Sequence, residues 1–341
     1  MEVRDPSTIA QDDGHTAQGD GHSAQGYAEL HCISNYSFLR GSSHPEELVS
    51  QASRLGYAAL AITDECSMAG VVKAHIVAKE CNLKLVIGSE FHLDENIHLV
   101  LLAKNRIAYG QICNLITIGR RRVKGEYQLA ISDLKFAMDQ CLVIWIPNRK
   151  EPHHLACGKQ LQHLFPGRLW LGLEIFPDGN EIECYEHALT LSSQLKLPLV
   201  AAGDVHMHHP DRKALLDIVS AIRMRQSVQL AGRLLFANRE KYLRPVSVIE
   251  AFYPAELLAN TLKLANLCDF SLDELRYEYP EELVPAHLSP SAYLRQLVEA
   301  GASVRWPHGE KPEIRDLIEK ELKLIEELQY EYYFLTVFDI V

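Results

Sequence analysis

From residue 27 onward, short apolar runs alternate with longer segments whose apolar positions recur every three or four residues. Runs at 28–33, 58–63, 84–91, 97–103, 141–146, 169–175 and 198–204 read as buried strands. The segments 45–55, 69–81, 107–119, 132–138, 154–164, 182–195 and 211–224 read as amphipathic helices. In the first of these, Leu48, Val49, Ala52 and Leu55 share one face. Ser43 is the expected N-cap, with Pro45, Glu46 and Glu47 in the first turn. Repeated strand-then-helix order predicts an α/β domain with a parallel sheet. Seven strands favour a barrel, with an open doubly wound sheet as the alternative. In a barrel, functional groups gather at the C-terminal ends of the strands.

The pattern breaks at both ends. Residues 13–19 and 20–26 are a near-verbatim repeat of Asp, Gly, His, Ala and Gln, which cannot bury a core, so residues 1–26 are expected to be a disordered tail. His15 and His22 within it read as incidental. After residue 235 a helix is expected over 256–268, then a linker marked by Pro280, Pro285 and Pro290. Helices over 290–304 and 312–329 follow, the second with Ile314, Leu317, Ile318, Leu322, Ile325 and Leu328 in one stripe. The expected division is a domain over 27–275 and a mainly helical segment over 276–341. Tyr330 to Val341 is so apolar and aromatic that it reads as a domain cut before its partner, or as a docking tail.

Composition narrows the class. Hydrophobic residues make up 47%, enough for a large core. A formal charge of −11 argues against a protein that coats nucleic acid indiscriminately. The eight cysteines form no C-x-x-C pair and read as buried free thiols in a reducing cytoplasm. No stretch reaches the length of a membrane helix, and no membrane partner is expected.

Candidate chemistry sits near the strand ends. Asp204-Val205-His206 places a carboxylate and an imidazole two residues apart, and Gly203 before them permits close backbone approach. His31 ends the first run and Glu90 the third. His98 is the exception, because it starts its run. Glu65, in Thr63-Asp64-Glu65, is either an oxygen ligand or part of a helix start. Such a mixed N/O set suits Zn, Mn or Fe. His208 and His209 read as solvated. Arg120, Arg121, Arg122 and Lys124 are candidate contacts to DNA phosphates, or a solvated helix end.

In order along the chain, Leu30-His31-x-x-Ser34-x-Tyr36-Ser37, Ala61-Ile62-Thr63-Asp64, Ile87-Gly88-Ser89-Glu90, His98 through Asn105, and Gly203-Asp204-Val205-His206 resemble a PHP (polymerase and histidinol phosphatase) domain. With Phe38-Leu39-Arg40-Gly41 and Ala202 through His208, the chain is similar to the error-prone branch of the bacterial C-family DNA polymerases. The resemblance implies a distorted seven-stranded βα barrel leading toward a polymerase palm. It implies metal ligands at His31, Glu65, Glu90, His98, Asp204 and His206, and alterations at two ligand positions, Ile33 and Arg40. Glu65 itself replaces a histidine. The histidine expected after the strand at 141–146 is absent from Trp145-Ile146-Pro147-Asn148.

Two-metal hydrolysis needs both ions held about 4 Å apart. Ile33 removes a ligand and Arg40 brings a positive charge, so the expected state is a degenerate site that serves as scaffold. Arg40 is expected to pair with Glu65, Glu90 or Asp204. The resemblance also implies a role in DNA replication and translesion repair synthesis, primer/template DNA and other replication subunits as partners, and Mg²⁺ only at the palm. The family's Gly-Arg-Gly-Ser loop and palm aspartates are not in this sequence, so no polymerisation is expected of it alone. The alternative is a metal-dependent phosphoesterase of the histidinol-phosphatase kind.

Overall fold

The computed structural model describes residues 26–135, 138–148, 154–275 and 283–341. The leader repeat with His15 and His22, and Pro280 of the linker, lie outside the described residues. The described chain divides into two compact units between Glu274 and Leu275.

Seven strands form one sheet in sequence order: β1 (Ala28–Glu29), β2 (Ala59–Ile62), β3 (Lys84–His92), β4 (His98–Ala103), β5 (Cys141–Ile146), β6 (Leu169–Glu174) and β7 (Leu199–Ala202). Just beyond β1 and β7 the two edges meet. The N–H of Ile33 donates to Val205 O at 2.9 Å, and the N–H of Val205 donates to His31 O at 2.9 Å. This bridge, Cys32 to Val205, closes the sheet into a barrel.

The sheet is not all parallel, as strand-then-helix order had suggested. β4 runs antiparallel to both β3 and β5, while every other pair is parallel. The cause is chain length. Residues 93–97 are too few for a crossover helix, so the chain turns back as a hairpin. Asn96 takes the left-handed conformation in that turn (φ 58°), and the N–H of Leu93 donates to Ile97 O.

Helices cover the outside of the barrel: α1 (Pro45–Arg54), α2 (Val71–Glu80), α3 (Arg106–Arg122), α4 (His154–Leu164) and α5 (Glu181–Leu195). Their apolar faces meet Leu60, Ile62, Ile87, Leu99 and Leu101 in one continuous core. The opposite strand faces supply the barrel interior, including Ala59, Ala61, Val86, Val100, Ile144, Trp170 and Val200. Leu264, Ala265 and Cys268 join that inner cluster from α9 (Ala255–Asn266) and the residues after it. The remaining helices of this unit are α6 (Lys213–Arg223), the single turn α7 (Val228–Ala231) and α8 (Val246–Phe252).

Several local expectations shift. The N-cap of α1 is His44, whose N–H donates to Glu47 Oε2 at 2.9 Å, whereas Ser43 Oγ accepts from the N–H of His208 at 2.8 Å. The segment 132–138 yields a short 3-10 turn, Ile131–Lys135. α7 and α8 carry no periodic signal long enough to be read from sequence. The eight cysteines are thiols outside any disulfide; four are buried and four half-buried.

The second unit holds α10 (Pro290–Arg305), α11 (Pro312–Leu328) and α12 (Glu331–Ile340). Leu294, Leu322 and Leu335 form its centre, one from each helix, with Ile318 and Ile325 packed beside them. Leu317 and Leu328, read as part of the same stripe, are exposed. Arg295 donates to both Glu319 carboxylate oxygens, at 2.8 and 2.9 Å. The apolar segment after Tyr330 is a helix, with Leu335 as its buried anchor. Among the described residues no helix is long and apolar enough to cross a membrane.

Candidate metal centre

Alternation along the strands builds the site. Residues two apart on a strand face the same way. Glu90 continues the face of Val86 on β3, Glu174 that of Trp170 on β6, and His98 that of Val100 on β4. Because β4 is reversed, its first residue lies at the same mouth as the last residues of its neighbours. His98 is therefore no exception, and it pairs with Glu90 across the hairpin. His31 follows β1 and enters the mouth from the closing edge.

His31, Glu90 and His98 come together with their ligand atoms all within 4.8 Å of one another. His31 Nε2 lies 2.6 Å from Glu90 Oε2, and His98 Nε2 lies 3.4 Å from the same oxygen. The other ring nitrogen of His31 lies 2.8 Å from Glu174 Oε1. An imidazole fixed by a carboxylate behind it is the usual arrangement of a metal ligand. Burial alone would lower the His31 pKa, but Glu174 and Glu90 outweigh it and lift it to about 9. His98 goes the other way: burial outweighs Glu90 and lowers it to about 4. His98 also stacks on His92, ring centroids 4.1 Å apart.

Glu65, Glu90 and His92 form a second group within the same reach. A cation already stands among them. Arg40 Nη1 lies 2.6 Å from Glu65 Oε2, 2.6 Å from Glu90 Oε1 and 3.3 Å from His92 Nε2. Burial opposes the charge on Glu90, yet Arg40 and the histidines hold its carboxyl well below the usual range. Tyr127 donates its hydroxyl to Glu65 at 2.9 Å. The Asp64 carboxylate accepts from the N–H and hydroxyl groups of Ser34 and Ser37 and so fixes the loop that carries Arg40.

Asp204 and His206 address each other rather than one shared ion, with His206 Nε2 2.7 Å from Asp204 Oδ1. The second Asp204 oxygen is in contact with Lys241 Nζ. Lys241 sits over the rings of Phe236 and Phe176, at 4.3 and 5.0 Å, and burial lowers its pKa to about 8. Asp204 takes a left-handed backbone (φ 42°), a conformation that costs energy outside glycine. Gly203 permits the turn as expected: a Cβ there would stand 2.1 Å from Glu29 Oε2. Buried Glu29 accepts from the N–H of Gly203 and of His31, tying the two closing edges together.

The arrangement therefore fits one metal ion at His31, Glu90 and His98. Arg40 stands among Glu65, Glu90 and His92, and Lys241 contacts Asp204. Arg40 pairs with Glu65 and Glu90, as anticipated, but Asp204 takes Lys241. Sequence reasoning missed Glu174, Lys241 and His92. Glu174 had a signal, a carboxylate closing the sixth strand on the inner face; Lys241 had none. Ile33 is fully buried and offers no donor atom. His208 is half-buried, 2.9 Å from Ser43 Oγ, while His209 is half-exposed.

The basic run splits in two. Arg120 donates to Glu65 O and Cys66 O and lies over the Tyr127 ring, and Arg122 is bonded to both oxygens of Asp133. Arg121 and Lys124 are exposed and, among the described residues, form no ion pair.

Residues 29–140 match the PHP domain family, and residues 292–341 match the bacterial DNA polymerase III alpha NTPase domain. An error-prone DNA polymerase of Pseudomonas paraeruginosa is 50% identical over 92% of this chain, and one of Methylococcus capsulatus is 49% identical over 92%. Among solved structures, an amidohydrolase from Chromobacterium violaceum aligns with a TM-score of 0.42 and 13% identity, over 53% of this chain and 87% of that one. The part of the barrel that carries His31, Glu90 and His98 thus lies within the match to the PHP domain, a class whose members are typically metal-dependent. Over most of its own length the chain is similar to these error-prone DNA polymerases. It spans 30–31% of the length of the relatives it matches.

Proposed function

We propose that this chain is the PHP region of an error-prone DNA polymerase, and that its barrel acts as a scaffold with a degenerate metal site. One observation carries the reading: Arg40 Nη1 occupies the centre of the Glu65, Glu90 and His92 group. A guanidinium cannot lose its proton at neutral pH, cannot polarise an oxygen as a Lewis acid and cannot activate water. It neutralises the same carboxylates without the chemistry. Lys241 does the same at Asp204. In this reading His31, Glu65, Glu90, His98, Asp204 and His206 keep the ancestral ligand types. Only His31, Glu90 and His98 would hold an ion, with Zn, Mn or Fe the elements suited to two imidazoles and a carboxylate. Such an ion would supply charge and polarisation at the mouth.

In the longer polymerase the partners are primer/template DNA and other replication subunits, the compartment is the cytoplasm, and Mg²⁺ serves the palm. Nucleotidyl transfer needs carboxylates on Mg²⁺. The isolated chain is therefore expected to leave a primer unextended. Metal analysis of the purified protein, with nuclease and phosphomonoesterase assays in Mn²⁺ or Zn²⁺, tests the scaffold reading. The expected result is at most one ion and no turnover; two or three ions with hydrolysis would overturn it. A second reading, a one-metal phosphoesterase, is favoured by the His31, Glu90 and His98 group, and turnover abolished by His98→Ala would establish it.

A further inference from the structure

The barrel has a second concave end. β6 runs from Leu169 at that end to Glu174 at the metal centre. Around Leu169 a cavity of about 600 Å³ opens between the last turns of α4 and α5 and one flank of α9. A volume of this size is typical of small-ligand sites. Its apolar wall is built by Phe165, Leu169, Trp170 and Leu197, all buried. Its polar rim comes from two elements. Glu256, Asn260 and Lys263 recur at helical spacing on α9 and so share one face, while the buried residues of that helix lie on another. Lys196 caps α5 in the left-handed conformation (φ 54°), a place where glycine or asparagine is usual.

The charges in this cavity are not spent on one another. Lys196, Lys263 and Glu256 all line it, yet among the described residues none of the three forms an ion pair. Lys263 Nζ stands instead over the Trp170 ring, 5.3 Å from its centre. Asn260 Nδ2 donates to Leu199 O at 2.8 Å and Gln162 Nε2 to Leu195 O at 2.5 Å, so each amide keeps its oxygen for a ligand. Two ammonium groups, two amide oxygens and an indole thus meet around one space, in a chain of net charge −11. Inorganic phosphate would use the ammonium groups and leave the apolar wall wet. A neutral ring would cover the wall and leave two cations without a counter-charge. A flat ring that carries an anionic group satisfies both.

We propose that this cavity binds a small aromatic anion, its ring against Trp170 and its anionic group between Lys196 and Lys263. N–H groups on the ring, where the ligand has them, donate to the oxygens of Asn260 and Gln162. The site lies at the opposite end of β6 from Glu174 and the metal centre, and it rests on neither the polymerase reading nor a bound ion. Occupancy ties α9 to the ends of α4 and α5, so the liganded chain should melt at a higher temperature.

The test follows the indole N–H signals of the full chain by NMR as adenosine monophosphate, benzoate, adenosine or inorganic phosphate is added. Trp170→Phe identifies the Trp170 signal among the three tryptophans. The aromatic anions should shift that signal saturably, and inorganic phosphate should leave it in place. Tighter binding of adenosine monophosphate puts its ring N–H groups on the amide oxygens; tighter or equal binding of benzoate leaves those oxygens to water, and either result supports the site. Lys263→Gln should weaken binding roughly tenfold, about the worth of one charge-assisted hydrogen bond. Lys196→Gly should do the same without lowering the melting temperature, because glycine suits the left-handed backbone there. Both lysines are exposed, so neither change opens the core. No saturable Trp170 shift with either aromatic anion, an equal response to uncharged adenosine, or lysine variants that bind like the parent would each overturn the proposal. None of these outcomes bears on metal content or hydrolysis, so the scaffold reading stands or falls separately.

Discussion

Arg40 Nη1 and Glu90 Oε1 lie 2.6 Å apart at the mouth of the barrel, with Glu90 fully buried and Glu65 Oε2 an equal 2.6 Å from the same nitrogen. One guanidinium nitrogen thus holds two carboxylates that would otherwise repel each other. The loop that delivers it is itself fixed by Asp64 through Ser34 and Ser37. This relationship gives Glu65 and Glu90 a counter-charge from within the chain.

Arg40→Ala removes the counter-charge and leaves Glu90 buried beside Glu65. Breaking a buried pair in this way costs about 3–5 kcal/mol. The variant should unfold at lower urea, with its slope unchanged. Added Mn²⁺ or Zn²⁺ should recover part of the loss, because a divalent ion can replace the guanidinium. Urea titrations with and without metal check both statements.

Restoring ligands should restore metal. Ile33→His combined with Arg40→Asp puts back donor atoms at the two altered positions and removes the competing charge. The expected outcome is one more bound ion per chain than the parent, read by elemental analysis after dialysis. Parent-level metal in a folded double variant would show that Lys241 or another group blocks the second ion.

The His31 pKa sets a pH dependence. Its folded value, about 9, lies above the ordinary value near 6.5 because Glu174 and Glu90 overcome burial. A raised pKa stabilises the metal-free fold fully below about pH 6.5, and that contribution is lost as pH rises toward 9. A metal must displace the same proton, so affinity at His31 should rise about tenfold per pH unit between 7 and 9. Glu174→Gln removes one carboxylate and should flatten the dependence. Ring nitrogen shifts by NMR should show His31 doubly protonated and His98 neutral at pH 7.

Gly203→Ala tests the closing edge. The added Cβ would stand 2.1 Å from Glu29 Oε2, and Glu29 is held by Tyr27 and by the N–H groups of His31 and Gly203. Neither side can yield without breaking buried hydrogen bonds, at about 1–3 kcal/mol each. A lower melting temperature is expected. Glu29→Gln in the Gly203→Ala background should not rescue it, since the amide occupies the same space.

Much of this protein was legible along the chain. Seven apolar runs matched the seven strands within a few residues, because burial on both faces of a barrel strand leaves few polar interruptions. The helices at 45–54, 154–164 and 181–195 followed from their spacing. His31, Glu90 and His98 stood out as polar residues at the edges of apolar runs, and the resemblance of their motifs placed them in one site. Tertiary structure decided what those residues do to one another. Only the reversed direction of β4 brings His98 to the mouth, a consequence of a connection too short to cross over. Lys241 reaches Asp204 from a segment with no pattern of its own, because the bridge at Met207 returns the chain there. Period and polarity are local and can be read in order. Which cation meets which carboxylate depends on distances of a few ångströms between residues as far as 143 positions apart, and only the closed barrel sets them.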